Sequence, residues 1–129
     1  MEDHCIKKKI YYHDTDAGGV VYYANYLKHL EEGRFEFCLS RGVNMAESAK
    51  EGAIFPVVRL EIDYKSPAMY GDVVAVFTRI EKIGFSSIYF IQEIKKDDIT
   101  LVKAKTIWAC VNEALKPQPI PEKIKQALS

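Results

Sequence analysis

Hydrophobic and polar positions change their period sharply along this chain. Ile6 to Tyr12 is short and rich in β-forming residues, and it reads as a first strand. Between Ala24 and Arg41 the period becomes helical. Tyr23, Tyr26, Leu27, Leu30, Gly33, Phe37 and Cys38 fall on one side, with Lys28, Glu31, Glu32 and Glu36 largely elsewhere. A glycine inside a helix costs up to about 1 kcal/mol against alanine, so Gly33 points to close approach of another backbone. Gly42 supplies a stop. In "VVRLEIDYK", Val58, Leu60, Ile62 and Tyr64 alternate with Arg59, Glu61, Asp63 and Lys65, the period-two pattern of an antiparallel strand with one wet face. "SPAMYGD" is a turn. "VVAVFTRIEKI", "SSIYFIQEIKK" and "TLVKAKTIWACV" read as three further strands, joined around Gly84 and around Asp97 and Asp98. Pro117, Pro119 and Pro121 end the last strand, and Pro121 suits the first turn of a short terminal helix.

One long helix and about five strands predict an α+β domain. The helix must bury its apolar stripe, and a curved antiparallel sheet wrapped around it is the economical way to do so. At 129 residues, with no internal repeat or linker, residues 1–129 read as a single domain.

Composition narrows the function classes. Hydrophobic residues at 48% and charged residues at 28% exclude a disordered chain. Eighteen basic and eighteen acidic residues leave a formal net charge of +0, which argues against a nucleic-acid surface needing a positive footprint. The only basic run, Lys7 to Lys9, reads as a solvated strand face. Cys5, Cys38 and Cys110 are odd in number and scattered, as expected for reduced core thiols. There is no signal-peptide pattern and no apolar run of membrane-spanning length, so the cytoplasm is the expected location.

The chemistry concentrates in "YYHDTDAGGVVYYANY", between the first strand and the long helix. Asp14 and Asp16 precede Gly18 and Gly19, which permit a tight turn and close backbone approach. The helix start beyond them offers unpaired N–H groups and the positive end of its dipole. A carboxylate there stays ionised, and the same N–H groups can stabilise a developing oxyanion. The residues alone leave two readings open: a base or nucleophile beside an electrophilic clamp, or plain helix capping, the commoner use of such acids.

The pattern formed by Asp14, Asp16, Gly19, Val21, Tyr22 and Tyr26 resembles the signature of the 4-hydroxybenzoyl-CoA thioesterase-type hotdog enzymes. The fuller string "DTDAGGVVYYANYLKHLEEGR" is most similar to the YbgC-type acyl-CoA thioesterases in that group, with Glu31 and Arg34 at their Glu-x-x-Arg pair. The "DYKSPAMYGD" segment resembles their second-to-third strand turn, and element order matches over residues 6 to 112. The resemblance implies a hotdog fold and hydrolysis of an acyl-CoA, short-chain aliphatic or aromatic, to a free acid and CoA without a cofactor. It makes Asp16 the catalytic carboxylate and the Tyr23 backbone N–H the donor to the thioester carbonyl. Asp14 then shapes the loop. Gly19 and Val20 are expected to assist, with Phe55 in an acyl tunnel. Lys65, Arg59 and Lys82 are candidates for the CoA phosphates by charge alone. It also implies a homodimer or homotetramer with the site at the subunit boundary.

Other chemistries fit less well. His13, Asp14 and Asp16 are metal-ligand types, but neighbours on an extended segment point to opposite sides and no second cluster completes a shell. No Gly-x-Ser-x-Gly elbow and no dinucleotide loop is present. A hotdog dehydratase would need a histidine placed differently from His13. A non-catalytic acyl-CoA or acyl-carrier-protein binding module is the alternative from another class, yet pantetheine binding alone does not require Asp16.

Overall fold

The computed structural model describes residues 4–129. Strand β1 (His4–Lys9) leads through two single 3-10 turns, Tyr12–Asp14 and Tyr23–Asn25, into helix α1 (Tyr26–Ser40). A short helix α2 (Met45–Lys50) follows, then β2 (Val57–Tyr64), β3 (Val73–Ile83), β4 (Ser87–Lys96), β5 (Ile99–Ala109) and α3 (Glu122–Leu128). The strands form one antiparallel sheet in the order β1-β3-β4-β5-β2. Helix α1 lies across it, packed mainly on β3 and β1.

The predicted elements appear with shifted edges. The first strand begins and ends earlier than Ile6–Tyr12, because Ile10 turns into the core and the chain tightens into a 3-10 turn. The long helix is preceded by its own 3-10 turn, which rotates Tyr23 out of the apolar stripe; Tyr23 is 60% exposed. Leu27 is also exposed, whereas His29 and Arg34, polar by composition, are buried. In β2 a bulge between Val57 and Arg59 breaks the alternation and leaves Val58 exposed. Helix α2 carries no apolar period. Its start is set by Asn44, whose Oδ1 accepts the N–H groups of Ala46 and Glu47.

Two apolar clusters lie under α1. One contains Ile10, Tyr26, Leu30, Val74, Val76 and Ile94; the other contains Phe37, Cys38, Phe90, Trp108, Ile120 and Leu128. A polar belt divides them at Gly33. The Gln92 side chain donates from Nε2 to Leu30 O and Thr78 Oγ1, both at 2.9 Å, and accepts from Arg34 at 3.1 Å. Every one of these groups is buried, so the amide must be paired as fully as it is.

Gly33 sits against this belt. A Cβ there would lie 2.8 Å from Val76 Cγ1 and 2.9 Å from both Gln92 Nε2 and Thr78 Oγ1. The close approach is thus to side chains of β3 and β4, not to another backbone as the helical glycine suggested. Helix propensity favours Gly33→Ala by about 1 kcal/mol, but overpacking typically costs about 1–3 kcal/mol. All three contacts are held by packing or hydrogen bonds, so overpacking wins. Equilibrium urea unfolding should show Gly33→Ala less stable by up to about 2 kcal/mol; a variant as stable as the parent would mean that the belt yields.

Candidate active site

The loop from Tyr11 to Tyr26 folds into a hydrogen-bonded unit with Asp14 at its centre. The Asp14 carboxylate is buried, and its Oδ2 accepts the Tyr11 N–H at 2.9 Å. Its carbonyl accepts the Tyr22 N–H and the Asn25 Nδ2, each at 2.9 Å. One residue thereby ties the incoming chain to the start of α1, the loop-shaping role expected of the first acid. Two residues on, the chain makes a hairpin: Asp16 N–H donates to Val20 O at 2.9 Å and Gly19 N–H donates to Asp16 O at 3.1 Å.

The two glycines shape this turn in different ways. Gly19 has φ +81°, a left-handed conformation that side chains disfavour. Gly18 donates its N–H to Asp16 Oδ1 at 2.7 Å, and a Cβ there would stand only 3.2 Å from that oxygen. The hairpin is exposed, so the Asp16 carboxylate faces solvent with one oxygen held by the turn. The neighbouring Tyr23 phenol is the main cause that raises the Tyr22 phenol above the ordinary tyrosine range, with desolvation and then the Asp16 charge adding to it.

The turn that follows β2 fastens the hairpin from the other side. Val21 N–H donates to Ala68 O at 2.9 Å, and Ala68 N–H donates to the Tyr26 hydroxyl at 3.0 Å. Burial raises that phenol, with the Ala68 bond opposing. Tyr64, the last residue of β2, donates its hydroxyl to Tyr23 O at 3.1 Å. Tyr23 N–H stands at the first position of its 3-10 turn, where no helical carbonyl can accept it. Among the described residues it makes no hydrogen bond. The loop therefore combines an exposed carboxylate with a free helical N–H.

The remaining candidates divide. Gly19 and Val20 belong to the hairpin, but the Gly19 N–H is used within the turn. Lys65 follows Tyr64 at the end of β2, exposed, with its N–H on Leu101 O at 2.8 Å. Phe55 lies elsewhere. It stacks near Trp108, with centroids 5.7 Å apart, on the wall of an apolar cleft of about 510 Å³ between α1 and the β2–β5 edge. Arg59 pairs with Glu61, and the Lys82 ammonium sits 4.3 Å from the centre of the Tyr89 ring. His13 is exposed. Cys38 is buried, which pushes its thiol up to about 12 despite the Arg34 and Arg41 charges, so it is no nucleophile.

His29 is a residue to which the sequence assigns no role, and Arg34 is one whose burial the sequence does not show. His29, fifteen residues beyond Asp14, comes within 3.6 Å of its carboxylate. Arg34 is 6% exposed and lines the cleft without any carboxylate at ion-pair distance among the described residues. Burial lowers its pKa to about 10, against the opposing pull of Glu31. The spacing of Glu31 and Arg34 was visible; the burial of Arg34 was not. Among the described residues no group of three or more His, Cys, Asp or Glu side chains has the arrangement of a metal site, and no helix is long and apolar enough to cross a membrane.

The sequence profile of the thioesterase-like superfamily matches residues 11–128. An acyl-CoA thioesterase YbgC of Haemophilus influenzae is 35% identical, over 92% of this chain and 89% of its own. An acyl-CoA thioester hydrolase YbgC of Escherichia coli is 32% identical, over 90% and 88%. Among solved structures, a protein of Aquifex aeolicus superposes with TM-score 0.93 at 28% identity, covering 98% of this chain and 99% of the other. A DHNA-CoA thioesterase of Staphylococcus aureus does so with TM-score 0.93 at 26% identity, covering 98% and 89%.

Proposed function

We propose a specific chemistry for this chain, which belongs to the thioesterase-like superfamily, has the hotdog fold and is a thioester hydrolase. It hydrolyses an acyl-CoA, short-chain aliphatic or aromatic, to the free acid and CoA, as the names of its relatives suggest. One observation carries the residue assignment: the Asp14-centred loop holds the exposed Asp16 carboxylate together with the unbonded Tyr23 N–H.

The thioester carbonyl oxygen accepts the Tyr23 N–H, which is worth most when the oxygen carries negative charge, in the tetrahedral transition state. The Asp16 carboxylate then acts at the carbonyl carbon. As nucleophile it forms a mixed anhydride and expels the CoA thiolate, and water later cleaves the anhydride. As general base it takes a proton from water, whose oxygen adds to the carbonyl carbon; the tetrahedral intermediate then collapses to the acid, the C–S bond breaks, and the CoA thiolate leaves and takes up that proton. Both routes need one carboxylate and one oriented donor. The Gly18 N–H on Asp16 Oδ1 fixes the carboxylate while leaving its second oxygen to react. A module that only bound acyl-CoA would have no use for a carboxylate presented in this way.

The working unit is a homodimer, or a dimer of dimers. Strand β2 is a sheet edge carrying the exposed Val57 and Val58, and it borders the cleft containing Phe55. Unprotected edges of this kind are normally paired or covered. Joining two β2 edges extends the sheet and brings Phe55 of one subunit towards the hairpin of the other, where it lines the acyl group. Lys65, at the end of β2, contributes a cation for the CoA phosphates.

Turnover of a panel of acyl-CoA esters, followed by trapping the released thiol, tests the chemistry. Asp16→Asn should lose about 10²–10⁴ in kcat while still binding the ester. Tyr23→Phe should keep most activity, because the backbone donor is unchanged. Full activity in Asp16→Asn would remove the carboxylate mechanism, and a Tyr23→Phe loss as large as that of Asp16→Asn would make the phenol the acid. Assembly is read by sedimentation. Val58→Lys puts a charge on an edge position already exposed in the subunit and should yield monomers with at least about tenfold lower turnover. Fully active monomers would contradict the shared site.

A further inference from the structure

His29 lies on α1 with both ring nitrogens facing carboxylates. Nδ1 is 3.2 Å from Glu32 Oε1, and Nε2 is 3.6 Å from Asp14 Oδ1. The ring is 5% exposed, and Nε2 has no hydrogen-bond partner. Burying a ring nitrogen without a partner costs free energy, so an imidazole at this position is not explained by core packing, where a phenyl ring would do better. The surrounding charges are few. Lys8 on β1 holds the other Glu32 oxygen at 3.3 Å, and His13 Nδ1 stands 3.7 Å from Asp14 Oδ1 on the solvent side.

We infer that His29 is a positioning residue, locking the Asp14 hub, and with it the Asp16 hairpin and the Tyr23 N–H, onto helix α1. This rests on the catalytic reading given above. Asp14 reaches the hairpin and the helix start through its backbone, by the bonds from Tyr22 N–H and Asn25 Nδ2, but its carboxylate accepts a hydrogen bond from the Tyr11 N–H alone among the described residues, with the buried His29 ring approaching at 3.6 Å and the exposed His13 at 3.7 Å. Asn25 and His29 are one helical turn apart, so they grip the same residue at its carbonyl and its carboxylate. The Lys8–Glu32–His29–Asp14 sequence of contacts thus runs from β1 through α1 to the hairpin. Shortening the last contact by a few tenths of an ångström makes it a full N–H···O bond, and catalytic contacts commonly tighten in this way when substrate binds. A neutral imidazole can donate to either carboxylate and an imidazolium to both. Either way the ring orients Asp14 without touching the substrate.

A purely structural role would change stability alone, whereas a positioning role separates kcat from KM. With butyryl-CoA and benzoyl-CoA as substrates, His29→Phe should lower kcat about tenfold with KM within about twofold, since misplacing reacting groups costs rate more than binding. His29→Gln, whose amide can donate to Asp14, should recover most of that loss. The His29→Phe/Asp14→Asn double variant should be no slower than Asp14→Asn alone, because the two changes break one contact. Parent kinetics in His29→Phe, or losses at the two positions that multiply, would overturn the inference. Should the phenylalanine variant not fold, His29→Asn replaces it: asparagine is too short to reach Asp14, and equal kcat for the Gln and Asn variants would be contradictory. Hydrogen exchange at the Tyr22 amide gives a readout independent of activity. That amide should exchange faster in His29→Phe, and unchanged exchange counts against the clamp. If Asp16→Asn keeps full turnover, the catalytic assignment falls, while the exchange result still decides whether His29 holds the loop.

Discussion

The contact on which this structure depends is the seating of Gly33 against Val76, Thr78 and Gln92. Because the helix presents no Cβ there, it descends far enough for the Gln92 amide to reach the Leu30 carbonyl at 2.9 Å. That depth fixes the axial position of α1 on the sheet. The position of its N-terminal turn follows, and so does the place where the Tyr23 N–H emerges. A helix riding higher would loosen the Ala68 bond to the Tyr26 hydroxyl and the Tyr64 bond to the Tyr23 carbonyl, both of which tie the loop to the sheet. A polar belt in the middle of a core is thermodynamically expensive unless complete. Here it sets register between helix and sheet, which two purely apolar clusters would leave free to slide.

Arg34 completes the same belt at a cost. Its guanidinium donates to Gln92 Oε1 and Thr106 Oγ1, neutral acceptors, while its Nε stays unpaired. Desolvation is the first cause of its lowered pKa, yet at about 10 the group remains a cation near neutrality. The cleft it borders is mostly apolar, with Leu27, Phe35, Phe55 and Trp108 among its walls, and Glu31 and Thr106 as its other polar members. Arg34 therefore gives a buried cation to a surface that the dimer reading places at the subunit boundary.

Much of the fold was legible because its strands and long helix carry strong periods. Leu60 and Ile62 against Glu61 and Asp63 mark β2, and Leu30, Phe37 and Cys38 mark the buried side of α1. What failed were places where hydrogen bonding overrides period. The 3-10 turn moved Tyr23 outward, the bulge exposed Val58, and α2 rests on the Asn44 cap, a signal present in the sequence but unaccompanied by an apolar stripe. The loop was legible as a motif in which Asp14, Asp16 and the two glycines had to cooperate. The approach of His29 to Asp14 was not, since it follows from how a hairpin folds back on the helix and no spacing rule encodes it. Burial of Arg34 was equally hidden, because charged side chains are ordinarily solvated.

The central claim is that the Asp16 carboxylate and the Tyr23 N–H act on one carbonyl. The most direct measurement is a crystal structure with a non-hydrolysable acyl-CoA analogue that retains a carbonyl next to a methylene in place of sulfur. The account predicts the carbonyl oxygen at about 2.7–3.1 Å from the Tyr23 nitrogen, with the free oxygen of Asp16 facing the carbonyl carbon or a water beside it. A carbonyl bound in the cleft beside Arg34, away from the hairpin, would contradict it.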